Sequence, residues 1–494
     1  MNYKASIEQK LHDSDYSDYT LHFGSVLNRN GSVRFIDHSQ SKELTVGINV
    51  DDHAFGYRVQ AEFPAIVADL VDLAVAIHAS DRLACQSLHQ KQRRLQVVLP
   101  VRHPELLSAE PFRTKLEHLL DWATGSEWVF DFQRRIAPGR LVENQSLPIA
   151  PQGCEVALWS GGLDALAGLY TRLRMYPEKP FVLFGTGSNN SVYARQERVA
   201  KEVQSIFPGS CHLFRVPIRF HDSDMQHKNK RSRARGVVFT LLGAACAYLM
   251  DRRVLYVYEN GIGAINLPYR ASAVGLDHTR SVHPLTLLRV GDVVSELLGE
   301  QFRVQNPFLF WTKAEMCKAL AQDGRHDLPP LTMSCDSPHR QRPIQCGYCS
   351  SCLLRRQALA AADIEDRTSY VVLHGDRPVK EPSLYFLNML VQVRTLRTQL
   401  SVSDEPSLQW EALTRKFIDL DDIVDRCAAA ESLLPADMQG RLIRLYQTYV
   451  SEWDAVESHI SDGLLNNAAT SRHRTDAGLL LNKVEGKRYG YQHP

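Results

Sequence analysis

The chain has 494 residues and a formal net charge of +1, and it is 44 % hydrophobic and 23 % charged. That length exceeds one small core and predicts two or three domains. The balanced charge leaves no global field to draw nucleic acid or a membrane surface, so neither is expected as a direct substrate or support.

The opening MNYKASIEQK has no apolar core and no cleavage-site pattern, so no signal peptide is read there. Residues 1–150 predict an N-terminal α/β extension. Ile66, Leu70, Leu73, Ala74 and Ile77 share one face of a helix from Pro64 to His78. Leu95–Leu99 reads as a strand. Phe112–Ala123 reads as a helix stopped by Gly125, and Trp128, Phe130 and Phe132 alternate as in a half-buried strand. No chemical constellation stands out in this extension, so its role is not predicted. Pro138-Gly139 and Pro148 to Gly153 read as a linker.

From Glu155 onward, strands at 155–159, 181–184, 211–216 and 254–258 alternate with helices at 163–175, 192–207 and 236–250. This alternation predicts an α/β fold, a doubly wound parallel sheet with ligands at the carboxyl edge. The longest apolar stretch, Val237 to Met250, is too short for a bilayer and fits a buried helix. After about residue 370 the pattern turns helical, with one stripe at Leu384, Leu387, Leu390 and Val391 and another at Leu442, Leu445, Tyr446 and Tyr449. The expected division is 1–150, 151–365, a helical region 366–465 and a flexible tail 466–494.

Ser160-Gly161-Gly162 lies in the first strand-to-helix turn. Glycines let the backbone turn N–H groups toward an anion, and the next helix adds its positive dipole end. With the Ser160 hydroxyl, the turn suits a diphosphate. Asp164 would repel phosphate directly but becomes useful if Mg²⁺ lies between them. The plainer reading is a simple loop, with Asp164 a dipole partner of the helix. No Walker-type phosphate loop occurs, and Gly185-Thr186-Gly187 lacks the third glycine of a dinucleotide site.

Cys335, Cys346, Cys349 and Cys352 crowd into one segment, the last three spaced by two residues. Four soft thiolates close a tetrahedral ion, which predicts structural zinc; an iron–sulfur cluster is the nearest rival. Ten cysteines without a signal peptide predict a reducing, cytoplasmic setting.

Lys228, Lys230, Arg231, Arg233 and Arg235 precede an apolar helix. Cations there oppose the helix dipole, a conflict a polyphosphate would relieve, although a solvated loop explains the run equally. Arg233 and Arg235 are the candidates from this run. Thr312-Lys313-Ala314-Glu315 carries a capping box, and Lys313 could reach a ligand. His283 before Pro284 fits a loop histidine with no ligand.

Ser160-Gly161-Gly162-Leu163-Asp164 resembles the SGGxDS signature of PP-loop ATP pyrophosphatases. With the arginine-rich helix start, the Thr-Lys-Ala-Glu segment and the four cysteines, residues 155–365 resemble the 7-cyano-7-deazaguanine synthase (QueC) family. The flanking regions depart from that compact enzyme and look more like the QatC-type, QueC-like proteins of anti-phage defence systems. The resemblance implies ATP-dependent adenylation of the carboxylate of a 7-carboxy-7-deazaguanine, with pyrophosphate released and a C–N bond then formed, as in a ligase. It implies ATP held by Ser160, Gly161, Gly162, Leu163 and Asp164, with Mg²⁺ on Asp164. It implies catalytic roles for Asp164, Arg233, Arg235 and Lys313. It implies a base-reading segment with Glu259, Asn260, Gly261, Arg280 and His283 as candidates. Ala165 stands where the signature has a second serine, which removes a hydroxyl donor. In a defence setting the acceptor could be a partner protein instead of ammonia. A non-catalytic nucleotide sensor and a tRNA-thiolating PP-loop enzyme are the competing readings.

Overall fold

The computed structural model describes residues 16–24, 30–50, 64–84, 92–136, 153–187, 190–220, 232–269, 280–335, 344–370, 373–374, 377–378 and 382–470. The expected linkers at 138–139 and 148–152, and Lys228, Lys230 and Arg231 of the basic run, lie outside these residues.

Ten strands form one sheet among the described residues. They are β1 (Tyr16–Phe23), β2 (Asn30–Asp37), β3 (Lys42–Val50), β4 (Gln92–Val101), β5 (Glu127–Arg134), β6 (Glu155–Leu158), β7 (Phe181–Gly187), β8 (Cys211–Phe220), β9 (Val254–Tyr256) and β10 (Arg303–Gln305). The spatial order is β10-β9-β6-β7-β8-β3-β2-β1-β4-β5.

The first five strands in that order are parallel. Helices α4 (Leu163–Met175) and α5 (Asn190–Ile206) pack on one face with Trp159 and Phe181. Helices α6 (Arg235–Leu249) and α8 (Pro284–Leu298) pack on the other with Leu158 and Phe184. This is the doubly wound α/β fold expected. β6 is buried at every position, as a strand covered on both faces must be. The winding reverses between β6 and β9, and in sheets of this topology ligands bind outside the carboxyl ends of such strands.

The N-terminal strands continue the same sheet. β3 pairs antiparallel with β8 through Ile48–Phe220 and Val50–Ile218. β4 and β5 run parallel to β1. Helix α1 (Ala65–Leu83) packs on α6, a four-residue helix α2 spans Pro104–Leu107, and α3 (Glu110–Thr124) packs on α8. One hydrophobic core therefore joins the N-terminal half to the α/β half. Gly125, at φ 62°, ends α3 as expected.

Short α7 (Gly261–Ile265) follows β9, α9 (Lys313–Gln322) follows β10, and α10 (Ser350–Ala361) follows the cysteines. Beyond residue 380 come α11 (Pro382–Leu400), α12 (Pro406–Lys416), α13 (Asp419–Cys427) and α14 (Pro435–Thr470) around their own core. The stripe expected at 442–449 is buried, whereas the one at 384–391 needs correction. Leu387 and Val391 are exposed, and α11 instead buries Phe386, Met389, Leu390, Val393 and Leu396. α14 continues to Thr470, and the rest of the expected tail lies outside the described residues. No helix among them is long and apolar enough to cross a membrane.

Candidate active site and metal centre

After β6 the chain turns through Trp159–Gly162 into α4. Trp159 anchors the turn: its backbone N–H donates to Phe184 and its indole N–H to the Gln196 carbonyl at 2.9 Å. Gly161 takes φ 72°, and a β-carbon there would meet the Gln196 backbone at 3.2 Å. Both facts require glycine. The Ser160 hydroxyl is exposed and accepts the Gly162 N–H at 3.1 Å. Leu163 opens α4 with its side chain in the core, so it offers only backbone to a ligand. Ala165 is also core-packed.

Asp164 is buried beside this turn and is held on both oxygens. Lys313 donates to Oδ2 at 2.7 Å and Asn260 to Oδ1 at 2.8 Å. Glu259 accepts a second Asn260 hydrogen at 2.9 Å and lies in hydrogen-bonding reach of Asp164. Burial, and then the Asp164 charge, push the Glu259 carboxyl up to about 8. Burial works against the Lys313 ammonium, but the Asp164 and Glu259 charges outweigh it and hold its pKa above the ordinary lysine value. Two carboxylates and one ammonium thus lie together at the point where the winding reverses.

Local structure explains each position. Asn260 caps α7 by accepting the Gly263 N–H at 2.8 Å. The Gly261 N–H donates to Trp311, and a β-carbon on Gly261 would sit 2.0 Å from the Leu309 carbonyl oxygen. Close backbone approach is the structural reason for that glycine. The Thr312–Glu315 capping box is present and fixes the start of α9, hence Lys313. Glu452 of α14 accepts from the Thr312 hydroxyl at 2.5 Å, so the helical region helps to place Lys313.

The four cysteine sulfurs lie within 4.8 Å of one another and are buried. A tetrahedron with Zn–S arms of about 2.3 Å has edges near 3.8 Å, and Cys346 and Cys352 sulfurs are 3.9 Å apart. Backbone N–H groups of Cys346 and Cys349 point at the Cys335 and Cys346 sulfurs, as thiolate ligation requires. Gly347, at φ 80°, makes the knuckle. This centre touches the glycine turn: Met333, two residues before Cys335, donates its N–H to the Gly161 carbonyl at 3.3 Å. Buried Arg355 ties the same segment down through Thr332, the Pro329 carbonyl and Thr368. Metal analysis of purified protein is expected to give one ion per chain. Cys352→Ser is expected to lose it and to lower the thermal midpoint by several degrees. A metal-free wild type with an unchanged midpoint would contradict this.

The remaining sequence candidates gather elsewhere. Arg280 lies on the Trp122 ring, its guanidinium carbon 3.6 Å from the centroid. His283 packs edge-on to Trp122 and caps α8, its Nδ1 accepting the Leu285 N–H at 3.3 Å. Arg233 sits against Gly125, and Gly236 against Ser281. Sequence reasoning missed what fixes this arginine turn. Asp81 of α1 accepts from the Ser232 hydroxyl at 2.7 Å and the Ala234 N–H at 3.0 Å, while pairing with fully buried Arg93 at 2.8 Å. Met333, Glu452 and Asp81 are ordinary residues in the sequence. Only the three-dimensional arrangement gives them a task.

The fold and site define an α/β protein with a glycine turn at the sheet's switch point, a buried carboxylate–lysine cluster and a four-thiolate centre. Residues 286–363 match the family model described as queuosine biosynthesis protein QueC. The 7-cyano-7-deazaguanine synthase of Pseudomonas aeruginosa strain LESB58 is 30 % identical over 139 residues, covering 28 % of this chain and 57 % of that protein. The chain therefore spans little more than half the length of this relative. The synthase of Pyrococcus abyssi is 24 % identical over 253 residues, covering 44 % of this chain and 97 % of that protein. A solved structure, U34-tRNA thiolase NcsA from Methanococcus maripaludis with its [4Fe-4S] cluster, aligns at 12 % identity over 56 % of this chain and 96 % of that one, with a TM-score of 0.19. Residues 286–363 are thus similar to the QueC family, and similarity to the synthases extends over part of the chain.

Proposed function

We propose that the protein is an ATP-dependent, AMP- and pyrophosphate-forming enzyme that adenylates a carboxylate, that of a 7-carboxy-7-deazaguanine, for C–N bond formation. The observation that carries this reading is the assembly of Ser160–Asp164, Glu259, Asn260 and Lys313 at the sheet's switch point beside the thiolate centre. A carboxylate oxygen leaves poorly until it carries a good leaving group, and AMP supplies one. Ser160, Gly161 and Gly162 would hold the departing diphosphate. Lys313 would offset its charge. Glu259 and Asn260 would meet the deazaguanine or the metal.

Two carboxylates beside a single lysine fit a divalent cation, because one ammonium offsets only one of their charges. Asp164 and Glu259 would hold Mg²⁺, which supplies Lewis-acid stabilisation of phosphate oxygens. The sulfur spacing favours zinc over a multi-iron cluster, whose bulk would separate the sulfurs further. The buried thiols of Cys211, Cys246 and Cys317 suit a reducing cytoplasm. The N-terminal half and the helical region are additions to a compact family core, and they support a QatC-like role in anti-phage defence, with a partner protein as acceptor.

The test is incubation with ATP, Mg²⁺ and 7-carboxy-7-deazaguanine. AMP should accumulate only with all three present. Tight ATP binding without AMP would favour a nucleotide sensor, and thiolation of tRNA would favour the sulfur-inserting reading.

The Glu259 proton also predicts a pH dependence of stability. Its folded pKa is raised, so the stability it contributes is complete below the unfolded value and is lost as pH rises through about 8. Glu259→Gln should flatten the fall in unfolding free energy between pH 5 and pH 8. An identical slope in both proteins would count against a raised Glu259 pKa.

A further inference from the structure

A cavity of about 740 Å³ opens between α3, α8 and α13, on the sheet face opposite α4 and the cysteine centre. It brings together the N-terminal half, the α/β half and the helical region. Arg280, Arg289 and Arg426 line it around Trp122. The Arg280 and Arg289 guanidinium carbons lie 3.6 and 4.7 Å from the Trp122 ring centroid. Each of these two also donates to a backbone carbonyl, Arg280 to Trp122 at 3.1 Å and Arg289 to His118 at 3.3 Å. Stacking and carbonyl bonds fix the two groups in place, and Asp121, Asp419 and Asp422 offset part of their charge from beyond ion-pair distance.

Among the described residues, none of the three arginines has a carboxylate within ion-pair distance. Asp121 and Asp292 also line the cavity, and Lys115 there is committed to Glu296 at 2.6 Å. Burial, and then the neighbouring Arg426 and Arg280 charges, lower the Arg289 pKa. Gathering like charges around one ring is unfavourable unless an anion offsets them. The volume falls in the range of small-molecule sites, and guanidinium forks match phosphate geometry.

We propose that this cleft is a second ligand site, which binds a small molecule carrying two or more phosphates through Arg280, Arg289 and Arg426. It is separate from the Ser160–Asp164 turn, and occupancy would link three parts of the chain. The site does not depend on the adenylation reading.

The probe is inorganic tripolyphosphate. Wild-type protein is treated with phenylglyoxal, and modification of each arginine is followed by peptide mass spectrometry. Tripolyphosphate should slow modification of Arg280, Arg289 and Arg426 at least tenfold, and equally in Asp164→Asn. Calorimetry of Arg289→Gln and Arg426→Gln should show tripolyphosphate affinity at this site weakened about tenfold or more in each. Unchanged modification rates at all three arginines would overturn the proposal. So would protection that disappears in Asp164→Asn, or protection by citrate but not by tripolyphosphate.

Discussion

Asp164→Asn is expected to lower carboxylate-dependent AMP formation by about 10²–10³-fold while leaving the protein folded. In the native cluster Asp164 accepts from Lys313 and Asn260, burial and the Asp164 charge raise the Glu259 carboxyl to about 8, and the neighbouring carboxylates hold the Lys313 pKa above the ordinary lysine value. Asparagine removes the Asp164 charge, the second cause after burial of the raised Glu259 pKa, and leaves Glu259 as the one carboxyl beside Lys313. The Lys313 ammonium is expected to draw Glu259 into the charged form as its new counter-ion, against the burial that remains. The buried charge balance is preserved, so the thermal midpoint should move little. What is lost is the carboxylate nearest the glycine turn. Lys313→Met is the contrasting variant, because it strands Asp164 and Glu259 without a cation. It should cost about 3–5 kcal/mol of stability as well as activity. If Asp164→Asn unfolded the chain, the proposed charge transfer to Glu259 would be wrong.

Asp81→Ala is expected to destabilise the protein by about 3–5 kcal/mol, because it leaves the fully buried Arg93 guanidinium without its counter-charge. Arg93 keeps only neutral partners, the Ser126 hydroxyl and the Ala84 carbonyl. The same change releases Ser232 and Ala234, so the turn that carries Arg233 and Arg235 loses its anchor. The double variant Asp81→Leu/Arg93→Met should recover part of the loss, because the orphaned charge is gone. Chemical denaturation of the three proteins checks this. A single variant as stable as wild type would show that α1 does not hold the turn.

These two variants mark what the sequence made legible. Glu155–Leu158, the turn and α4 were readable because a short apolar run, two glycines and helical spacing agree in their demands. The cysteine centre was readable because thiolate spacing has few other uses. Asp164, Glu259, Asn260 and Lys313 were each candidates, yet nothing in the linear order says that Lys313 and Asn260 grip Asp164. That contact depends on β6 and β9 being neighbours. β2, with burial alternating along its length, was missed because its polar face and flanking turn residues resemble a loop. β10 has only three residues, too few for a period to show. The α11 stripe was displaced because apolar residues cover most of that helix, and packing against α14 selects the face. The family resemblance groups Arg280 and His283 with the base-reading segment, and tertiary packing sets them on Trp122.

Exchange of labelled pyrophosphate into ATP tests the proposed chemistry most directly, because only a reversible adenylation returns pyrophosphate to the nucleotide. Exchange should require Mg²⁺ and 7-carboxy-7-deazaguanine and should vanish in Asp164→Asn. Label entering ATP without the carboxylate, or conversion of ATP to ADP and phosphate in its presence, would contradict it.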